Sequence, residues 1–93
     1  VWDKAKETAN KKKHNITFEE AQFVFYDDKA LLIYDNTNSA YDDERFILLG
    51  KGENNVLVVA HATFDDDENL IRIISARRAT KKEISQYEEG VKK

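Results

Sequence analysis

The sequence predicts an α+β fold in the order α-α-β-β-β-β-α, an antiparallel sheet of about four strands with helices packed on it. Three observations predict it. Four apolar, β-branched runs follow one another between residues 30 and 78. Short polar stretches separate them, long enough for hairpins and too short for parallel crossovers. Helix-start signatures stand outside this block, at Asp3, at Thr17 with Glu20, and at Thr80 with Glu83.

Each element has its own local reason. Asp3 caps a first helix over about Lys4–His14, with Ala5 and Ala9 as its thin apolar face. Lys11, Lys12, Lys13 and His14 fall in its last turn, where cations complement the helix dipole. Thr17-Phe18-Glu19-Glu20 reads as a capping box, with Ile16 stapled against Ala21. The second helix runs to about Tyr26, with Ala21, Val24 and Phe25 at helical spacing. Strands are expected over Ala30–Asp35, Glu44–Gly52, Val56–Phe64 and Leu70–Arg78. The third is apolar almost throughout, as befits a central strand covered on at least one face. Glu53-Asn54-Asn55 and the charged run Asp65–Asn69 read as turns. Thr80-Lys81-Lys82-Glu83 is a second capping box, opening a last helix with Ile84, Tyr87 and Val91 on one face. Trp2, the lone tryptophan, is expected to anchor the first helix to the core.

Composition narrows the functional classes. Ninety-three residues suit a single domain spanning residues 1–93. With 15 basic against 18 acidic residues, the net charge of −3 argues against a general nucleic-acid coat but leaves room for a local basic site. No apolar run approaches the ~20 residues of a membrane span, so no membrane partner is expected. The absence of cysteine excludes disulfides and thiolate zinc sites. His14 and His61 are the two histidines, so a metal centre would need mostly carboxylates; no metal and no cofactor are expected. The polar N-terminal stretch is unlike a secretory signal, and a cytoplasmic setting is expected. With no methionine in the chain, a few native residues are expected to precede Val1.

Chemistry concentrates in the stretch RIISARRA, Arg72–Ala79. Regular alternation puts Arg72, Ile74, Ala76 and Arg78 on one face, and Ile71, Ile73, Ser75 and Arg77 on the other. The next helix begins near Thr80, so its free N–H groups lie close to Arg77 and Arg78. Guanidinium forks and helix-end amides together suit a phosphate oxygen. The opposing reading pairs these arginines with the chain's own carboxylates, among them Asp42, Asp43, Glu44 and Glu88. His61 interrupts an apolar strand. Its imidazole can move a proton in phosphodiester chemistry, or it can be a core group satisfied by a carbonyl or a carboxylate. His14 reads as a helix-end residue. Glu44 and Arg45 open the second strand, where an exposed ion pair is the plainer alternative to a catalytic role. The Asp65–Glu68 run lacks the spacing of a calcium loop and reads as a solvated hairpin tip. Phosphate-binding glycine loops, zinc-protease pairs and nucleophile elbows are absent from the sequence.

A set of short motifs recurs in order along the chain: Trp2-Asp3 with Lys6; Asn10 and Lys13-His14 before Phe18-Glu19-Glu20-Ala21; Val24-Phe25 with Asp27. Then come Glu44-Arg45-Phe46, Leu49-Gly50, Val58-Val59 with His61, and Arg72–Ala79 followed by Glu83 and Tyr87. In that order and spacing the chain resembles the BrnT family, the toxin half of a bacterial type II toxin–antitoxin pair, from Trp2 to about Tyr87. The resemblance implies a RelE-like fold and a metal-independent ribonuclease that halts translation. It also implies inhibition by a BrnA-type antitoxin with a ribbon-helix-helix DNA-binding domain, in a two-toxin, two-antitoxin complex that meets DNA through the antitoxin. Arg45, Arg72, Arg77, Arg78 and His61 align with family motif positions. Many members carry proline at the position of Lys4, and threonine and arginine where this chain has Ala62 and Phe64.

The mechanism this suggests is attack of a 2′-hydroxyl on the adjacent phosphorus. Arg77 and Arg78, helped by Arg45, would stabilise the developing charge. His61 would serve as acid or base, with Glu44 or Tyr87 as its partner. Arg72, Lys81, Lys82 and Tyr87 would contact RNA. The alternative is an antitoxin-binding protein with weak or no nuclease activity, whose arginines pair with antitoxin carboxylates.

Overall fold

The computed structural model describes residues 1–40, 44–64 and 67–92. The chain runs α1 (Lys4–His14), α2 (Phe18–Gln22), a 3-10 turn (Phe23–Tyr26), β1 (Leu31–Tyr34), β2 (Arg45–Lys51), β3 (Val56–Phe64), β4 (Asp67–Arg78) and α3 (Lys81–Lys92). The strands form one antiparallel meander in the order β1-β2-β3-β4. The α+β class and the α-α-β-β-β-β-α order are those expected. Asp42, Asp43, Asp65 and Asp66, and the side chains of Phe64, Glu68 and Val91, lie outside the described residues.

The helix signals work as local chemistry requires. Asp3 Oδ1 accepts the N–H groups of Ala5 at 2.7 Å and Lys6 at 3.3 Å. Asn15 closes α1 in the left-handed region, φ 57°, and its N–H reaches the Lys11 carbonyl. Thr17 Oγ1 accepts the Glu20 N–H at 3.0 Å, while the Phe18 N–H donates to Glu7 in α1, which ties the first two helices together. At α3 the box is reciprocal: Thr80 N–H donates to Glu83 Oε1, and Glu83 N–H to Thr80 Oγ1.

Three boundaries or faces differ from expectation. The second helix tightens after Gln22 into a 3-10 turn, where the Asp27 N–H reaches back to Val24 at 3.1 Å. Residues three apart eclipse in such a turn, so Val24 and Asp27 face the same strand residue, Gly50. A Cβ on Gly50 would stand 2.8 Å from Ala30 Cβ and 2.9 Å from Val24 Cγ1, so only glycine permits this approach. β4 begins at Asp67, three residues earlier than expected, because backbone pairing with Phe64 continues into the polar stretch. Finally, α1 does not bury Ala5 and Ala9, which are exposed; it buries Asn10. The Asn10 amide donates to the Ala76 carbonyl at 2.8 Å and accepts the Ala76 N–H at 3.0 Å, so it closes the outer edge of β4 as another strand would. Val1 and Trp2 extend the same closure: the Ile73 N–H donates to the Val1 carbonyl, and Trp2 bridges Ile73 in parallel. Trp2 also meets Phe18 edge to face, as its anchoring role requires.

Two unequal cores result. The larger lies between the sheet and α1, α2 and the 3-10 turn, with Ile16, Phe18, Val24, Leu48, Val59 and Ile73 among its members. Each such side chain contributes about 1.5–3 kcal/mol by leaving water. The smaller lies under α3 and joins Leu49, Val58 and Tyr87, flanked by Leu31, Ile47, Val56 and Ala79. Beyond it, Ile33 remains 46% exposed on the same face.

Candidate functional site

The arginines of β4 owe their arrangement to a bulge. Val59 pairs with Ala76 and His61 with Ile73, so two steps along β3 answer three along β4. Regular alternation therefore fails between Ile73 and Ser75. Ile73 joins Ala76 on the large-core face, and Arg72 moves to the opposite face with Arg77. The expected grouping of Arg72 with Ala76 and Arg78 is thereby corrected. On the α3 side, Arg45, Ala62 and Arg72 become direct neighbours across three strands. Ala62 is 1% exposed between them. Arg77 sits lower on the same face, beside Val58, while Arg78 pairs with Leu57 and points to the other side.

Arg77 is held by its own chain. Its Nη1 and Nη2 donate to Glu83 Oε1 and Oε2 at 2.8 and 2.9 Å. The hydrogen bond from Arg77, reinforced by the Thr80 N–H, holds the Glu83 carboxyl down at about 2, and Glu83 in turn raises the Arg77 guanidinium above its ordinary value. Glu83 thus does two jobs, capping α3 and orienting the Arg77 fork. It also occupies the helix-start donor expected to face a phosphate. Arg78 is exposed and has no ion-pair partner among the described residues. Lys81 and Lys82 are exposed in the first turn of α3. Glu44 is exposed just ahead of β2, next to Arg45.

His61 does not join the arginines on the α3 face. It is 4% exposed on the large-core side, between Phe46, stacked at 6.0 Å, and Phe25, edge-on at 4.9 Å. Its Nδ1 lies 3.4 Å from the Val59 carbonyl. Burial lowers its pKa, which favours the uncharged ring, against a smaller opposing effect of that carbonyl. One side of it borders a mostly apolar cavity of about 310 Å³ beneath the 3-10 turn.

Tyr87 is also occupied. Its hydroxyl donates to Asp27 Oδ2 at 2.6 Å. Burial first, and then this bond, push the phenol up to about 12. Burial would raise the Asp27 carboxyl, but the Lys51 N–H, Tyr87 hydroxyl and Lys29 N–H outweigh it and keep the pKa low. This carboxylate ties the 3-10 turn, the end of β2 and α3 together through the gap that Gly50 leaves. Sequence reading missed it; the signal was the pairing of an acid one residue past a helical segment with a glycine in the penultimate position of a strand.

A second feature escaped the sequence reading. Lys6, Lys13 and His14 of α1 and Ile74 and Ser75 of β4 line an open groove of about 320 Å³ at the bulge. Among the described residues, no cluster of three or more histidine or carboxylate side chains is placed to hold a metal ion.

A family model described as the ribonuclease toxin BrnT of type II toxin–antitoxin systems matches residues 2–83. The chain belongs to the BrnT family. Comparison with curated proteins finds no match. As a BrnT toxin it has a ribonuclease role and an antitoxin partner. Among the described residues no helix is long and apolar enough to cross a membrane.

Proposed function

We propose that this BrnT toxin is a metal-independent endoribonuclease of RelE-like type, acting as a single domain in the cytoplasm. It cuts RNA on the α3 side of its sheet and so stops translation. The observation that carries this reading is the shared face of Arg45, Arg72 and Arg77, created by the β4 bulge next to a floor of small residues, Ala60 and Ala62. Guanidinium groups suit the charge that builds on phosphate oxygens when the 2′-oxygen bonds to phosphorus and the 5′-oxygen leaves. In this scheme Arg77 is the principal charge stabiliser, with Arg45 assisting; Arg78, on the opposite face at the end of β4, takes no part in the reacting centre. Arg72, Lys81 and Lys82 hold the flanking chain. Glu44, beside Arg45, takes the 2′-hydroxyl proton, and solvent returns one to the leaving oxygen.

His61 and Tyr87 have other work in this reading. The neutral ring of His61 packs the aromatic core, and the Tyr87 hydroxyl serves Asp27. The antitoxin is a BrnA-type ribbon-helix-helix protein that forms a two-toxin, two-antitoxin complex and carries the contact with DNA.

The test is RNA cleavage by purified toxin in chelator, comparing the native chain with Arg77→Ala. Loss of one preorganised charge donor removes ~3–4 kcal/mol of transition-state stabilisation, a rate factor of hundreds. Cleavage at the native rate would take Arg77 out of the mechanism. The bidentate hold of Glu83 on Arg77 favours a second reading, a toxin with weak or no nuclease activity that acts through antitoxin binding. That reading predicts a folded native chain that leaves transcripts and growth untouched on expression.

A further inference from the structure

Lys6, Asn10, Lys13 and His14 follow one another at helical spacing, so they share one face of α1. Asn10 sits at the centre of that face and is pinned to the Ala76 backbone by two hydrogen bonds. This fixes the rotation of α1 against β4 and aims the two lysines along the groove, roughly 10 Å apart by helical rise. The chain has more acids than bases, yet no carboxylate among the described residues pairs with Lys6, Lys13 or His14. Glu7, the acid of α1, is turned toward the Phe18 N–H instead. Across the groove, the Ser75 hydroxyl has no hydrogen-bond partner among the described residues. By register Ser75 lies between Arg72 and Arg77 on the α3 side of β4.

We propose that the groove between α1 and β4 is a binding track for the phosphate backbone of single-stranded RNA. Lys6, Lys13 and His14 contact phosphates, and Ser75 hands the strand on to the arginine face. The inference rests on the ribonuclease reading above. A polyanion is the ligand this chemistry selects: two aligned lysines, an imidazole and a free hydroxyl, along a wall formed by Ala9 and Ile74. Because the molecule as a whole is acidic, RNA needs such a local track to approach it.

The experiment measures fluorescence anisotropy of a 12-nucleotide RNA with 2′-O-methyl riboses, which cannot be cleaved, between 50 and 200 mM salt, roughly the range over which phosphate contacts dominate affinity. The proteins are the native chain, Lys6→Gln/Lys13→Gln, Lys6→Arg/Lys13→Arg, His14→Gln and the distant control Lys29→Gln. The glutamine pair is expected to bind on the order of tenfold more weakly, with the slope of log affinity against log salt reduced by about 1.4, roughly 0.7 per lost phosphate contact. The arginine pair and Lys29→Gln keep native slope, and His14→Gln shows a smaller loss than the pair. Circular dichroism of the glutamine pair should match the native spectrum, since both lysines are exposed. Native affinity and slope in the glutamine pair would overturn the track and leave the ribonuclease reading intact. A native chain that cleaves unmodified RNA but shows no salt-dependent binding would also overturn the track alone. A native chain with neither property would overturn the ribonuclease reading with it. Equal binding of a 12-residue poly-glutamate peptide, with the same slope loss in the glutamine pair, would assign the groove to an acidic protein segment and overturn RNA.

Discussion

The two sides of one sheet differ in what covers them. On one side α1, α2 and the 3-10 turn close over Phe18, Val24, Val59 and Ile73, and His61 is buried between two aromatic rings and the cavity beneath the 3-10 turn. On the other side, among the described residues, α3 packs on the lower rows, and Ile33, Ala60 and the arginine row lie beyond them. The residue type with the most obvious acid–base chemistry went to the closed side. Three of the four arginines of β2 and β4, Arg45, Arg72 and Arg77, went to the other. A side chain's chemistry is available only on the face where solvent or ligand reaches it, and strand register decides the face.

Stability measurements can break this contrast at its strongest point. Phe18→Ala, on the closed side, is expected to cost about 3–5 kcal/mol in urea unfolding, whereas Ile33→Ala on the open side should change stability by about 0.5 kcal/mol or less. Equal losses would mean that the open face is not open. Asn10→Ala should cost about 1–3 kcal/mol, because it strips the partner from a backbone N–H and C=O of β4. It should also speed hydrogen exchange at Ala76. Tyr87→Phe removes the donor to Asp27 and should cost on the order of 1 kcal/mol, with α3 loosening first in hydrogen exchange.

A smaller effect belongs to pH. The folded Glu83 carboxyl, at about 2, lies below its ordinary 4.5. Its contribution to stability is therefore complete above about pH 4.5 and disappears as pH falls toward 2. The Arg77 side chain is 41% exposed, so solvent screens the pair and the effect is modest. Arg77→Gln should flatten this part of the stability–pH curve; an unchanged curve would show that the pair adds nothing. The smallest expected change is catalytic. His61→Phe should keep RNA cleavage within about threefold of native, since a phenyl ring preserves the aromatic packing of a side chain placed away from substrate. A loss comparable to that of Arg77→Ala would move the reacting centre to the closed face.

Much of the architecture was legible because it is local. Asp3, Thr17 and Thr80 each act on donors two or three residues away, and four apolar runs with short connections leave little choice but a meander. The arginines of β4 were equally visible as candidates. The opposite faces of Arg77 and Arg78 were legible too, but the face of Arg72 was not, because the extra residue at the bulge reverses alternation midway along the strand, and no residue type in the stretch announces it. Asn10 looked like one more polar residue on a polar helix until an unpaired strand edge gave its amide a partner 66 positions away.

Sequence alone thus determined the class, the element order, the caps and the supply of guanidinium groups, since each depends on neighbours along the chain. Tertiary structure alone decided that Arg72 shares a face with Arg45 and Arg77, that His61 is buried on the opposite face, and that Lys6 and Lys13 border β4. Those facts depend on which strands pair, where one residue is bulged, and which helix closes which edge. The contacts involved join residues far apart in the chain, and backbone hydrogen bonding selects them before side-chain chemistry can act.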